Sequence, residues 1–264
     1  MSGTETARQT TAPGRVSAAG DWLREYASAD TDAPSLVVLP HAGGSAAFFG
    51  PLARALAPDV RVLVVQYPGR LERRRHRAVE DIRELARHTA DAVAARTGGG
   101  PVAYFGHSMG ALVAYEAALL GEQGLGPRPR ALFVSAGRAP VLTHVDPAVL
   151  RDDESLIEQV LWLGGTSKAV LDEPDMRELV LPALWADYRA LTAYAPDHGA
   201  RVDCPVTALI GDRDPLVPVE DAARWRDHTT GPFQLQVLPG DHFYLTPRLV
   251  HVADTVRTVL TELF

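Results

Sequence analysis

Ser108 stands between two glycines in Gly106-His107-Ser108-Met109-Gly110, behind the apolar run Val102-Ala103-Tyr104-Phe105 and ahead of Ala111-Leu112-Val113-Ala114-Tyr115-Glu116-Ala117-Ala118. That order reads as strand, sharp turn, helix. A serine on such a turn sits in a strained backbone that lifts its hydroxyl above the edge of a sheet, and the flanking glycines leave the room this needs. Ser108 is therefore the candidate nucleophile. The pattern is short enough to arise by chance as a Gly/Ser turn, but correct flanks on both sides argue against that.

A serine hydroxyl is a poor nucleophile at neutral pH, so it needs a general base, and the base needs a carboxylate to fix its tautomer. Of nine histidines, only His242 follows a strand-like run, Phe233 to Leu238, through a turn, Pro239-Gly240-Asp241. The others sit in turns beside the serine (His41, His107) or in polar or helical contexts. For the acid, the run Val206-Thr207-Ala208-Leu209-Ile210 leads into Gly211-Asp212-Arg213-Asp214-Pro215. Asp214 is favoured, because the chain turns over the sheet before that carboxylate points back, and Pro215 stiffens the exit. Asp212 reads as a turn residue bonding its own backbone. Asp241 has the same turn reading. An acid after the preceding strand would have to be Asp146, which is distant from it in sequence.

The oxyanion formed when serine attacks a carbonyl needs two preorganised backbone donors. The Met109 N–H, directly after the nucleophile, is one candidate. The loop His41-Ala42-Gly43-Gly44-Ser45, at the end of the run Ser35 to Pro40, supplies the other. Ala42 N–H is the first choice and Gly43 the alternative. The loop lacks the glycine spacing of a phosphate or dinucleotide cradle.

Short apolar runs at 35–40, 61–66, 102–105, 131–135, 206–210 and 233–238 alternate with helical patterns at 46–57, 79–96, 109–122, 219–228 and 247–262. Such alternation predicts an α/β fold with a mostly parallel central sheet and helices on both faces. The chain order Ser, acid, His is that of an α/β-hydrolase. With 264 residues, 46% hydrophobic, the chain can bury one sizeable core, read as a single domain over 21–264. Residues 1–20, rich in Ser, Thr, Ala and Gly, are expected to form a disordered tail.

About seventy residues separate the runs at 131–135 and 206–210, far more than one crossover helix needs. Helical patterns at 147–151, 154–163 and 176–193 make this a helical lid over about 140–196. Trp162, Leu163, Leu181, Leu184, Trp185, Tyr188 and Leu191 are candidates to line an acyl channel, or to pack the lid down. Leu184, Trp185 and Tyr188, with His107 beside the serine, are the expected substrate-binding residues.

The formal net charge of −7 argues against nucleic acid as the main partner. The cluster Arg70, Arg73, Arg74, Arg75 and Arg77 is read as a solvated helix start, or else as a patch for an acidic partner or phosphate. No run of about 18 apolar residues and no basic-then-apolar start is present, so a cytoplasmic protein without a membrane span is expected. The lone Cys204, just before an apolar run, reads as a small core residue, and no metal-ligand cluster is evident.

Several segments together resemble the type II thioesterases: Leu39-Pro40-His41-Ala42-Gly43-Gly44-Ser45, Gln66-Tyr67-Pro68-Gly69-Arg70, the Ser108 turn, Leu163-Gly164-Gly165-Thr166, Gly211 to Pro215 and Gly240-Asp241-His242-Phe243. The resemblance covers nearly everything from Trp22 onward, and the spacings of 106 residues from serine to acid and 28 from acid to base are similar to the family's. Trp185 stands where the family commonly has an arginine, and Thr192 where an acidic residue is usual. The resemblance implies a stand-alone α/β-hydrolase without a cofactor, and a monomer is the default expectation. It implies clearing of aberrant or stalled acyl groups from the phosphopantetheine arms of acyl or peptidyl carrier proteins in polyketide and nonribosomal peptide synthesis. A general carboxylesterase or lipase would use the same three residues, and a catalytically silent docking module would keep the fold alone.

Overall fold

The computed structural model describes residues 22–166 and 168–264, so the tail expected over 1–20 lies outside the described residues. Period-two burial shapes the sheet. In β2 (Ser35–Leu39), Val37 and Leu39 enter one core while Leu36 and Val38 enter another, on the opposite face. In β4 (Val102–His107), Val102 and Tyr104 likewise oppose Ala103 and Phe105. Strands covered on both faces read as continuous apolar runs, which is why these were visible in the sequence.

Five further strands complete one seven-stranded sheet: β1 (Leu23–Arg24), β3 (Arg61–Val65), β5 (Pro129–Ser135), β6 (Val206–Gly211) and β7 (Phe233–Leu238). The order is β1-β3-β2-β4-β5-β6-β7, parallel throughout except for β1, which lies antiparallel on β3. With two residues, β1 carries no periodic signal, and the sequence reading omits it. The chain winds from β2 outward to β3, then returns to β4 and runs the other way, so β2 and β4 flank the point where the strand order reverses. Ligands of open parallel sheets bind there, outside the carboxyl ends of the strands.

Helix α1 (Gly50–Leu56) and α8 (Leu249–Leu263) cover one face, while α2 (Ile82–Thr97) and α3 (Met109–Glu122) cover the other. The Asp81 side chain accepts from Glu84 N–H at 2.8 Å to start α2, and Gly98, with φ of 65°, ends it. The helix expected over 219–228 divides into α7 (Val219–Ala223) and a 3₁₀ turn over 224–228. Between β5 and β6 the chain forms α4 (Asp153–Leu163), α5 (Lys168–Asp172) and α6 (Pro174–Ala193). The five-residue α5 is too short to have shown a period.

The basic segment splits in two. Arg74, Arg75 and Arg77 are exposed, but Arg70 and Arg73 are only 5% and 3% exposed, which corrects their reading as a solvated helix start. A buried guanidinium must be compensated. Arg73 Nη1 donates to Gln66 O at 2.6 Å and its guanidinium lies 4.5 Å from the Trp22 ring centroid.

The turn from β4 into α3 is the tightest approach in the fold. A Cβ at Gly110 would lie 2.1 Å from the Leu39 carbonyl oxygen, and one at Gly106 would lie 2.1 Å from that of Gly110. Both neighbours are backbone and cannot move aside. Gly98, by contrast, has open space around its missing Cβ and needs glycine only for its φ. Gly110→Ala is therefore expected to lower the unfolding free energy by about 3 kcal/mol and Gly98→Ala by about 1 kcal/mol, measured by urea denaturation.

Candidate active site

Ser108 caps α3 with φ of 56° and ψ of −118°, a conformation that a side-chain-bearing residue adopts only when its surroundings impose it. They do so through the two close-packed glycines and a hydrogen bond from Ser108 N–H to Ser135 O at 2.8 Å. The hydroxyl is thereby presented above the carboxyl end of β4. Loops leaving β6 and β7 bring up the two remaining groups. His242 Nδ1 lies 2.8 Å from Asp214 Oδ2, and its Nε2 lies 2.9 Å from Ser108 Oγ. A carboxylate only accepts, so Nδ1 carries the proton and donates, leaving Nε2 to accept from the serine hydroxyl.

Asp214 is held in place by its other oxygen, which accepts from Leu216 N–H at 2.9 Å and Val217 N–H at 3.0 Å. Its rival Asp212 accepts from Gly240 N–H at 2.8 Å and so ties the end of β6 to the loop that carries His242. Asp241 closes a local turn onto Phe243 N–H at 3.0 Å.

Two backbone N–H groups lie in segments that border the cavity with the serine. Met109 N–H is in the first turn of α3, where no intrahelical acceptor exists. In the loop 41–45, Gly43 N–H is taken by Asp187 Oδ2 at 2.7 Å and Gly44 N–H by His41 O at 2.9 Å. Ala42 N–H makes no such bond among the described residues, and both Met109 and Ala42 border the cavity above Ser108. Of the two candidates in this loop, Ala42 is thus the one with a donor to spare.

That cavity measures about 540 Å³. Its walls come from α3 and from the insertion, including Leu112, Val160, Leu163, Leu184, Tyr188 and Leu191. Leu184 and Tyr188 therefore stand where they were expected, together with His242 and Phe243 at the rim of the serine. Trp185 and His107 do not. Trp185 is turned one helical step away, donates from Nε1 to Asp153 Oδ1 at 2.7 Å and lies under the Arg189 guanidinium. His107, the last residue of β4, stays behind the cavity wall, its ring centroid 5.5 Å from that of His242 and 5.3 Å from that of Phe243, both of which line the cavity. It is fully buried, with Nδ1 2.9 Å from Ser135 Oγ, which in turn lies 2.7 Å from the Tyr244 hydroxyl.

Burial lowers the pKa of His41 to about 3, with smaller contributions from His242 and Arg70, and lowers that of His107 well below the usual histidine range. Burial, then Glu122, pushes the Cys204 thiol up to about 12, so it holds no thiolate at neutral pH. Among the described residues no three His, Cys, Asp or Glu side chains gather as metal ligands, and no helix is long and apolar enough to cross a membrane.

The residue that the sequence reading missed is Asp187. It lies fully buried on α6 and receives both Arg70 Nη2, at 2.8 Å on Oδ1, and Arg70 Nη1, at 2.9 Å on Oδ2. Its signal was a carboxylate on the same helical face as the apolar residues Ala183 and Ala190, a position that burial forbids without a cationic partner.

Residues 34–260 match the family model described as a thioesterase domain. The thioesterase PikA5 of Streptomyces venezuelae is 42% identical over 237 residues, which span 90% of this chain and 84% of that protein. Among solved structures, the type II thioesterase BorB from the borrelidin biosynthetic cluster has a TM-score of 0.83 at 41% identity, covering 94% of this chain and 100% of that one. RedJ, a thioesterase of the prodiginine biosynthetic pathway in Streptomyces coelicolor, has a TM-score of 0.82 at 35% identity, covering 96% of each. With Ser108, His242 and Asp214 hydrogen-bonded in line at the end of this sheet, and with this extent of similarity, the chain belongs to the thioesterase family, thioester hydrolases of the α/β-hydrolase fold.

Proposed function

We propose that the protein hydrolyses aberrant or stalled acyl thioesters on the phosphopantetheine arms of acyl or peptidyl carrier proteins of a polyketide or nonribosomal peptide synthase. The observation that carries this reading is the continuous hydrogen-bonded chain from Ser108 through His242 to Asp214 at the base of an apolar cavity. The relatives' place in biosynthetic clusters supports the choice of a carrier-bound substrate.

The reaction runs in two halves. His242 Nε2 takes the hydroxyl proton as Ser108 Oγ attacks the thioester carbonyl carbon, and Asp214 stabilises the imidazolium that results. The oxyanion accepts from Met109 and Ala42 N–H, which are in place before charge develops. Collapse of the tetrahedral intermediate breaks the carbon–sulfur bond, and His242 returns the proton to the departing sulfur of the carrier's arm. Water, deprotonated by the same His242, then attacks the acyl-serine ester and releases the carboxylic acid and free Ser108.

The insertion helices act as a lid whose apolar inner face receives the acyl chain, while the arm enters from the open side. Every group used in both halves belongs to this chain or to water. His107 packs beside His242, and His41 beside His107, but both rings stay uncharged at neutral pH, so they add no positive charge against the imidazolium.

The deciding experiment compares wild type and Ser108→Ala on a carrier protein loaded with acetyl, propionyl and longer acyl groups, with p-nitrophenyl esters alongside. Ser108→Ala is expected to lose carrier deacylation by on the order of 10⁴-fold or more, and His242→Ala by on the order of 10³-fold or more, in single-turnover assays. Turnover of simple esters with none from any carrier would make the protein a general esterase instead. A pH prediction follows from the buried rings. Folded His41 and His107 bind fewer protons than their unfolded counterparts below pH 6.5, so stability is complete above that value and falls as the pH drops. The urea midpoint is expected to fall between pH 7 and pH 5. His107→Gln should flatten that slope by about 1 kcal/mol per pH unit below pH 6.

A further inference from the structure

The Arg70–Asp187 pair is a bidentate ion pair in which the two side chains are 6% and 0% exposed. Its energetic value for the fold alone is doubtful on general grounds, since desolvation of both ions offsets their attraction and an apolar pair of similar volume often serves as well. What the pair touches is more specific. Asp187 Oδ2 holds Gly43 N–H at 2.7 Å, and Arg70 Nη1 holds the Gly44 carbonyl oxygen at 3.0 Å. Gly44 N–H in turn holds the His41 carbonyl oxygen at 2.9 Å.

Because a trans peptide is planar, with its N–H antiparallel to its C=O, fixing the His41 carbonyl aims the Ala42 N–H. Four successive peptide planes of this loop, from 41–42 to 44–45, are thus oriented by three hydrogen bonds, and the pair makes two of these bonds. The same stretch of α6 closes over the loop from above. A Cβ on Gly43, whose φ is 72°, would lie 2.4 Å from Leu184 Cδ2, and Leu184 is also a wall of the cavity.

We propose that Asp187, itself held by Arg70, is a positioning residue that sets the Ala42 N–H toward the oxyanion and so makes the oxyanion site depend on the seating of helix α6. This rests on the reading of Ser108 as nucleophile and Ala42 as donor. A misaimed donor weakens the transition state while leaving the bound thioester almost untouched, so the effect belongs in kcat and not in KM.

The test uses Asp187→Asn, which keeps shape, and the double variant Arg70→Met/Asp187→Leu, which removes both ions together. Three quantities are read in each: kcat and KM on an acyl-carrier thioester, the rate at which a fluorophosphonate labels Ser108, and the urea midpoint. The reagent's phosphoryl oxygen occupies the oxyanion position, so labelling reports that site whatever the acyl preference. Asp187→Asn is expected to lower kcat and the labelling rate by about 10- to 100-fold with KM within about twofold. The double variant is expected to unfold near the wild-type midpoint and remain as slow. A double variant with wild-type kcat and labelling, or an Asp187→Asn whose losses lie in KM or midpoint alone, would reduce the pair to a structural tie and overturn the proposal. A wild-type Ser108 that resists the reagent would instead overturn the nucleophile assignment beneath it.

Discussion

The close approach of three backbone segments at the end of β4 is the constraint on which the site depends. Gly106, Gly110 and the carbonyl of Leu39 pack so tightly that no Cβ fits between them, and Ser108 is left at φ of 56° with no room to relax. The strain is held by β4 on one side, buried along its whole length, and on the other by α3, buried from Met109 to Ala118. The same packing puts the first turn of α3 beside the loop after β2. The Ser108 turn and the Met109 and Ala42 N–H groups, which have no partner among the described residues, are thereby brought to one cavity by backbone geometry alone.

Side chains from distant parts of the chain then complete that point, and each is aimed by a carboxylate that does no chemistry of its own on the acyl group. Asp214 orients His242 through one oxygen while two backbone N–H groups immobilise the other. Asp212 fastens the histidine loop to the end of β6. Asp187 does the corresponding work for the loop after β2. The arrangement spreads the burial of charge over short networks in which each of these carboxylates accepts backbone or charged donors, which is how acidic groups are tolerated in a low-dielectric interior.

What was legible in the sequence follows from range. The Ser108 turn is a local feature, so its strand, glycines and helix could all be read within twenty residues. Between the two neighbouring carboxylates the favoured Asp214 is the one that lies against His242, while Asp212 bonds Gly240 N–H. Asp187 stayed hidden because its partner is 117 residues away and its helix looks amphipathic without it. Trp185 was misplaced because Leu184, Tyr188 and Leu191 follow a spacing of four and three, whereas its own phase turns it to Asp153. His107 was taken for a pocket residue from its adjacency to Ser108, although its ring is buried behind His242 and Phe243 and bonded to Ser135 instead. Arg70 and Arg73 looked solvated because nothing local distinguishes a buried arginine from Arg74 or Arg75.

The edge strand β7 gives the molecule an uneven resistance to opening. Only Leu238 of its six residues is buried, and Val237 is 45% exposed, whereas every residue of β4 and β6 is buried. Local stability tracks such burial, so the outer strand and the loop beyond it are the first part of the sheet to loosen. That loop carries His242. Under mild heat or denaturant His242 is therefore expected to move away while the Ser108 turn, locked in the centre of the sheet, is still formed.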